Sequence, residues 1–211
     1  MFEPTSTTAM WSAVFGFGLY HGINPGMGWP LAVSAALMHK APGSMRRALV
    51  ALAVGHLLAM ALVLLPFSII TSLLQWDRQI RLAAGIVVIA MGVYLLINRR
   101  HPRWLARVKP SRLALWSFLA GIAHGAGLML VPIFGAIDMA SSHIAHSLLV
   151  AATVVVVHTL AMALACTLIA VGVYRWLGLA FLSKSWFNLD VLWALSLIVV
   201  GAAGVYGSKL G

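Results

Sequence analysis

The segment Gly18-Leu-Tyr-His-Gly22 recurs later in the chain as Gly121-Ile-Ala-His-Gly125, and this repetition decides the fold that the sequence predicts. After the histidine, each copy continues through a glycine-rich turn to a methionine and a proline. Two further pairs of segments repeat in the same order: His56–Leu62 with His158–Leu164, and Ile86–Tyr94 with Ile198–Tyr206. Apolar helices produce similar strings by chance, but three matches in register that also align histidines indicate an internal repeat.

The composition indicates that both copies lie in a membrane. Hydrophobic residues make up 62% of the 211 residues, charged residues only 9%, and the mean hydropathy is +1.00. A soluble domain could not bury that much apolar surface. A membrane-spanning helix needs about 20 apolar residues, so the chain has room for about six. The predicted spans lie near Trp11–Met38, Ala48–Leu74, Leu82–Ile97, Leu113–Ile137, Ser147–Tyr174 and Phe187–Tyr206.

Each copy contains three of these predicted helices. Because three is odd, the second copy must enter the membrane from the opposite side, which is the inverted-repeat layout of many secondary transporters. We therefore predict an all-α integral membrane protein of six transmembrane helices, with a broken first helix in each repeat. Residues 1–211 form one domain, with repeat one at about 9–98, a basic loop at about 99–112 and repeat two at about 113–208.

The distribution of charge predicts the orientation. The chain has four carboxylates and fourteen Lys and Arg, which gives a net charge of +10. In a membrane protein such an excess of basic residues sets the orientation and does not imply a nucleic-acid partner. Eleven of the fourteen basic residues fall in three predicted loops on one side, six of them between Arg99 and Arg112. The positive-inside rule makes these loops cytoplasmic, with both termini on the outer side of a bacterial-type inner membrane.

The segment from His21 to Pro30, His-Gly-Ile-Asn-Pro-Gly-Met-Gly-Trp-Pro, is not expected to continue as a regular helix, because prolines remove backbone donors and glycines weaken the rest. Its partner runs from His124 to Pro132. Non-helical backbone at membrane depth is tolerated where it is buried in protein or lines a cavity, so matched breaks predict a site. Alternatively, these residues only permit close packing and bending. The predicted helix-break residues are Gly22, Pro25, Gly26, Pro30, Gly125, Gly127 and Pro132.

Four histidines at repeated positions are the principal candidate site residues: His21, His56, His124 and His158. An ionisable side chain within a membrane is costly and usually faces the interior of the helix bundle. Neutral imidazoles bind nickel, zinc, cobalt and copper, and Met27 and Met129 would add thioether ligands that favour copper(I). Two alternatives stay open: the histidines carry protons, or each only hydrogen-bonds a neighbouring backbone group.

Three other features of the sequence bear on a possible functional site. Asp138 with His143 and His146 predicts either an external vestibule that attracts cations or an ordinary polar loop. The repeated methionines 60 and 162 and the single cysteine at 166 are interpreted as packing residues. No enzymatic function is expected, because the chain lacks paired carboxylates, a Ser/His/Asp set and a phosphate-binding loop.

The chain resembles the broad superfamily of LysE-like exporters, nickel/cobalt exporters, TauE/SafE and urease-accessory membrane proteins, and CcdA-like thiol carriers. His21-Gly22, Gly26-Met27 and Pro30 carry the resemblance, and their copies are His124-Gly125, Met129 and Pro132. The resemblance implies transport of a transition metal ion. This chain departs from the superfamily in having no acidic residue beside His21 and no paired cysteines.

These observations define three hypotheses. The first is a secondary transporter that moves a transition metal cation, copper, nickel, cobalt or zinc, by alternating access through a histidine-lined midplane site. The second is a proton-coupled exporter of an amino acid or another small organic solute. The third is a haem-binding membrane redox or assembly protein, with the histidines as axial ligands. The expected partners are the lipid bilayer and the solute, and a homo-oligomer stays open.

Overall fold

The structure is a computed structural model, and it describes residues 4–39, 42–73, 77–97, 110–138, 143–177 and 189–210. All the regular elements in these ranges are helical. The α-helices are α1 (Pro4–Ile23), α2 (Trp29–His39), α3 (Ser44–Leu73), α4 (Asp77–Ile97), α5 (Leu113–Ala123), α6 (Ala126–Ile137), α7 (Ile144–Gly172) and α8 (Leu189–Leu210). Short 3₁₀ turns lie at Pro25–Met27 and Pro110–Arg112, and a π-turn at Val173–Leu177 extends α7.

Two of these helical stretches, Ser44–Ile70 and Ile144–Trp176, are long and apolar enough to cross a membrane, and the pair α5 and α6 makes a third if it counts as one bent span. Shorter apolar stretches occupy α4 and α8. In α7, Leu160 and Leu168 point outward and are exposed, whereas His158 is buried. A helix with an apolar outer face and a polar inner residue suits a bundle whose solvent is lipid.

The first helix break lies between α1 and α2. The chain leaves helical geometry at Asn24, makes one 3₁₀ turn and resumes as a helix at Trp29. Gly28 occupies the left-handed region at φ 98°, a conformation that favours glycine. Two expected break residues are helical instead: Gly22 lies within α1, and Pro30 is the second residue of α2. Proline is tolerated in the first turn of a helix, where its missing N–H would have no partner.

The second break is shorter. It consists of His124 and Gly125, where Gly125 has φ 68° and the axes of α5 and α6 meet at 61°. The expectation that Gly127 and Pro132 break the helix is wrong, because both lie within α6. Proline inside a membrane helix is tolerated when neighbouring groups satisfy the freed carbonyl or the helix adjusts locally.

The first helix of each half packs against the other half of the chain. Gly18 of α1 lies against Ala161 of α7, and four residues later Gly22 lies against Ala165. Because both residue numbers rise together, α1 and α7 run parallel. The matching pair is α5 with α3, in which Gly121 lies against Ala59. In each case the first helix of one half packs on the second helix of the other half.

The third helices of the two halves pack on each other. A Cβ atom at Gly85 of α4 would lie 2.9 Å from the carbonyl oxygen of Gly201 in α8, and one at Gly92 would lie 2.7 Å from that of Ala194. Residue numbers rise in α4 while they fall in α8, so this pair is antiparallel. Glycines at the contact let the two backbones approach closely, as is common between membrane helices.

Most of the predicted basic loop lies outside the described residues, as do Lys40 and Lys184. Arg46 and Arg47, in the first turn of α3, are described and exposed. The orientation inferred from charge therefore stays a prediction.

Candidate functional site

Three of the four repeated histidines meet inside the bundle. The ring centroids of His21 and His56 are 4.8 Å apart, those of His21 and His158 are 5.6 Å apart, and those of His56 and His158 are 5.8 Å apart. His21 comes from α1, His56 from α3 and His158 from α7, so three helices and both halves contribute. We call these three side chains the histidine triad.

The triad is fully enclosed, with 0% of His21, 0% of His56 and 1% of His158 accessible to solvent. Nδ1 of His158 lies 3.3 Å from the carbonyl oxygen of Val14, to which it can donate a hydrogen bond. Among the described residues, neither ring nitrogen of His56 has a hydrogen-bond partner, and neither does Nε2 of His158. An unsatisfied buried polar group costs about 1–3 kcal/mol, so three such nitrogens in one cluster call for a functional explanation.

His124 is held differently from its repeat partner His21. Helix α1 continues to Ile23, so His21 lies inside it, whereas α5 ends at Ala123 and His124 is its C-terminal cap. The Nδ1–H of His124 donates to the carbonyl oxygen of Ala120 at 2.8 Å. The same carbonyl also accepts from the backbone N–H of His124 at 2.9 Å, so the side chain and the backbone of His124 both bind the last turn of α5.

The two methionines proposed as ligands each share a buried cluster with a second, repeated methionine. Met27 packs in one buried cluster with Met162 and Cys166, whereas Met129 packs in another with Met60. All four methionines are nearly inaccessible to solvent. The sequence predicted a ligand role for Met27 and Met129 and packing for the other two, and the structure brings the members of each pair into the same cluster.

Cys166 adds a third sulfur atom to the Met27 cluster. Its thiol lies 3.5 Å from Sδ of Met162 and 3.3 Å from the carbonyl oxygen of Gly22, to which it can donate. His158, Met162 and Cys166 are four residues apart along α7 and therefore share one face of that helix. Imidazole, thioether and thiol follow one another along this face toward the end of α7.

In the described part of the chain, no three His, Cys, Asp or Glu side chains are arranged so that they could hold a metal ion as they stand. The spacing of the triad is nonetheless suitable. Imidazoles that bind one ion at metal–nitrogen distances of about 2.0–2.1 Å have ring centres about 5 Å apart. A shared ion would require the three rings to turn one nitrogen each toward a common point.

Asn24, which is not among the residues predicted from the sequence, positions the first break. It is buried, and its side-chain Oδ1 accepts a hydrogen bond from the backbone N–H of Gly26 at 2.9 Å. The indole N–H of Trp29 donates to the carbonyl oxygen of Ile23 at 3.1 Å, which joins the two sides of the break. An asparagine before Pro-Gly is a typical turn and cap signal, so the sequence did contain the information.

The predicted vestibule residues lie at the far end of α6. Nδ1 of His146 is 3.3 Å from Oδ1 of Asp138, with 58% of the His146 side chain and 7% of the Asp138 side chain exposed. The backbone carbonyl of His143 accepts the first hydrogen bonds of α7. Helix α6 has twelve residues, and each adds about 1.5 Å along the helix axis. Asp138 and His146 therefore lie about 18 Å along that axis from the second break.

A cavity of about 490 Å³, wide open to the outside of the bundle, lies between α1 and α8. It is lined by Ala13, Gly16, Phe17, Tyr20 and Ser196. The side chains of Tyr20 and Ser196 hydrogen-bond to each other, and they supply the polar groups of a mainly apolar wall. Tyr20 precedes His21 in α1, so the cavity lies close to the triad along the chain.

Comparison of the chain with protein-family models, with curated proteins and with solved structures gives no match.

Proposed function

We propose that this protein is a secondary transporter of a transition metal cation and that the histidine triad is its binding site. The observation that supports this proposal is the contact of three buried imidazoles from three helices, two of which have nitrogens without partners. Neutral imidazole nitrogens are good ligands for nickel, cobalt, copper and zinc ions. Binding an ion would satisfy these nitrogens, whereas leaving them bare has a cost.

The size of the site favours an ion over the alternatives. Ring centroids 4.8–5.8 Å apart leave no room between the imidazoles for an amino acid. They also leave no slot for the flat macrocycle of haem, whose axial ligands must stand on opposite faces. An ion needs only the space that ring rotation provides.

The exchanged packing of the helices supports the inverted six-span topology. In that topology α1 and α7 cross the membrane in the same direction, α3 and α5 share the other direction, and α4 and α8 are opposed. The packing through Gly18, Gly121 and Gly85 has this pattern. The triad then lies at the interface of the two halves, near the midplane, and rocking of one half against the other would expose it alternately to each side.

Metal analysis of purified protein in detergent tests the proposal. The protein is exposed to copper, nickel, cobalt or zinc, passed through a desalting column and analysed for metal and for a haem absorption band. We expect about one ion per chain in the wild type and a loss in the His21→Ala/His56→Ala variant. Thr153→Ala, at an exposed position of α7, is the matched control and is expected to retain the ion. A wild type that binds none of the four metals would rule out the proposal.

The second candidate is transport of a small organic solute, and the cavity between α1 and α8 favours it. Sites for small molecules are typically about 300–1,000 Å³, mostly apolar and furnished with a few polar groups. The cavity has that size, with Tyr20 and Ser196 as its polar groups. Substitution of Gly16 by Leu would fill it, and this variant would abolish organic-solute transport while leaving metal binding at the triad intact.

A further inference from the structure

We propose that the transported ion is a soft monovalent d¹⁰ cation, copper(I), and that methionine pairs on both sides of the histidine triad conduct it to and from the site. This inference rests on the proposed function and deepens it by assigning the class of metal. The residues that carry it are Met60 and Met129 in one cluster, and Met27, Met162 and Cys166 in the other.

The positions of the methionines relative to the triad are the first argument. Met60 follows His56 by four residues in α3, and Met162 follows His158 by four residues in α7, so each thioether lies one helical turn, about 6 Å along the axis, beyond its histidine. In the inverted topology α3 and α7 run in opposite directions. Met60 therefore lies on the outer side of the triad and Met162 on the inner side.

The pairing of the methionines is the second argument. The first helix of each half contributes one more thioether, and each belongs to the same buried cluster as the methionine of its side: Met129 with Met60, and Met27 with Met162. The order along the bundle is then a thioether pair, three imidazoles and a second thioether pair. Ordinary packing requires no such placement, because Leu or Ile would fill the same space.

Ligand chemistry is the third argument. Thioethers and thiols select copper(I), whereas carboxylates and water suit harder ions. Among the residues with described burial, the buried polar residues are His, Asn, Ser and Thr, and the carboxylate of Asp138, whose side chain is 7% exposed, lies at the far end of α6 and not beside the triad. A divalent ion would enter a core without a compensating carboxylate, whereas a monovalent ion adds one charge less to a low-dielectric interior.

The outer and inner methionine clusters differ in one residue, and this difference predicts that affinity for copper(I) increases toward the inner side. Cys166 touches Met162 on the inner side at 3.5 Å, and the corresponding residue of the first half is Leu64, which is fully buried. The inner cluster therefore offers two thioethers and a thiol, and the outer cluster two thioethers only. We expect the inner cluster to bind copper(I) more tightly than the outer one.

Silver(I) binding to the full-length protein in detergent tests this inference, because silver(I) has the ligand preference of copper(I) without its redox chemistry. Equilibrium dialysis is run in parallel with Ni(II), Co(II) and Zn(II). The variants are Met27→Leu/Met162→Leu for the inner pair and Met60→Leu/Met129→Leu for the outer pair. Leucine conserves volume, so these variants are expected to fold. Leu113→Ile, a volume-conserving change in a third buried cluster that contains no methionine, is the matched control.

We expect silver(I) to bind most tightly, and we expect each double variant to weaken it by about tenfold or more, the loss typical of removing even an outer-shell partner. The control variant and Zn(II) binding should be unchanged. Silver K-edge absorption on the wild type needs no variant, and it should show sulfur atoms among the nearest neighbours.

Two failures would be distinguishable. Tight Ni(II), Co(II) or Zn(II) binding that depends on the triad, with silver(I) surrounded only by nitrogen and oxygen or indifferent to all four methionines, would overturn the copper(I) assignment and leave the metal transporter standing. No binding of any metal, silver(I) included, would overturn the proposed function itself.

Discussion

The rings of His21 and His56 lie 4.8 Å apart, although one comes from the first helix of the bundle and the other from α3. Their interplanar angle of 54° brings the two imidazoles into contact without stacking. His158 of α7 completes the triad, and its ring centroid lies 5.6 Å from that of His21. The triad therefore depends on the packing of α1 against α7. Packing of the bundle and binding of the proposed ion therefore depend on the same helices, and the following predictions separate the two.

Metal binding is expected to stabilise the wild type and not His56→Ala. A ligand present at about one hundred times its Kd stabilises the folded state by about 2.7 kcal/mol, which raises Tm. Removal of His56 deletes two nitrogens that have no other partner in the described structure. Thermal unfolding in detergent with and without metal measures the shift in Tm, and the exposed-site control Thr153→Ala should keep it. An unchanged shift in His56→Ala would show that the ion binds elsewhere.

Gly18→Ala is expected to destabilise the protein by about 1–3 kcal/mol, the usual range for overpacking. Its Cβ would lie 2.6 Å from the carbonyl oxygen of His158 and 2.7 Å from Cβ of Ala161, so α1 would have to move away from α7. Gly16→Ala is the control, because a Cβ there meets nothing within 4 Å and alanine favours the helix. Equal Tm values for the two variants would contradict the packing of α1 on α7.

Gly28→Ala is expected to be more damaging than Gly43→Ala. Both glycines have positive φ, 98° and 74°, so both substitutions force alanine into a left-handed conformation at a cost of about 1–2 kcal/mol. Only at Gly28 would the new Cβ also lie 2.7 Å from the side chains of Leu52 and Trp116. The difference in Tm between the variants isolates the crowding at the first break. A larger loss in Gly43→Ala would refute the described geometry.

Trp29→Phe is expected to cost about 1 kcal/mol, the net value of a typical hydrogen bond, because phenylalanine cannot donate to the carbonyl oxygen of Ile23. The smaller ring adds a packing loss of the same sign. Trp176→Phe is the control, since Trp176 is 84% exposed. Chemical unfolding should place the control with the wild type and Trp29→Phe below both.

The proposed topology predicts that Arg47 and His143 lie on opposite sides of the membrane. Both positions are exposed, so Arg47→Cys and His143→Cys can be labelled by a membrane-impermeant maleimide. The native Cys166 is buried and serves as an unreactive background. In intact cells we expect labelling at position 143 and none at 47, with labelling at 47 after lysis. The reverse pattern would invert the topology, and labelling of both in intact cells would reject it.

Much of the architecture could be predicted because its signals are local. Apolar runs predict helices at positions close to those of α3, α4, α7 and α8. Proline and glycine between His21 and Pro30 predicted a break, and one occurs there. The details differed because proline in the first turn of α2 and proline within α6 are tolerated by their surroundings, which the residue type alone does not disclose.

The sequence by itself determined the helical character, the apolar outer surface and the repetition that places histidines and methionines at matched positions, since these follow from composition and periodicity. It made His21 and His124 equivalent. Only the tertiary structure distinguished them: α5 ends before His124, whose ring is drawn to the carbonyl of Ala120, whereas α1 continues past His21 and carries it into contact with His56 and His158. Where a helix ends and which helices pack together depend on contacts between distant segments. Two similar repeats can differ in those contacts, so the repeat alone does not predict them.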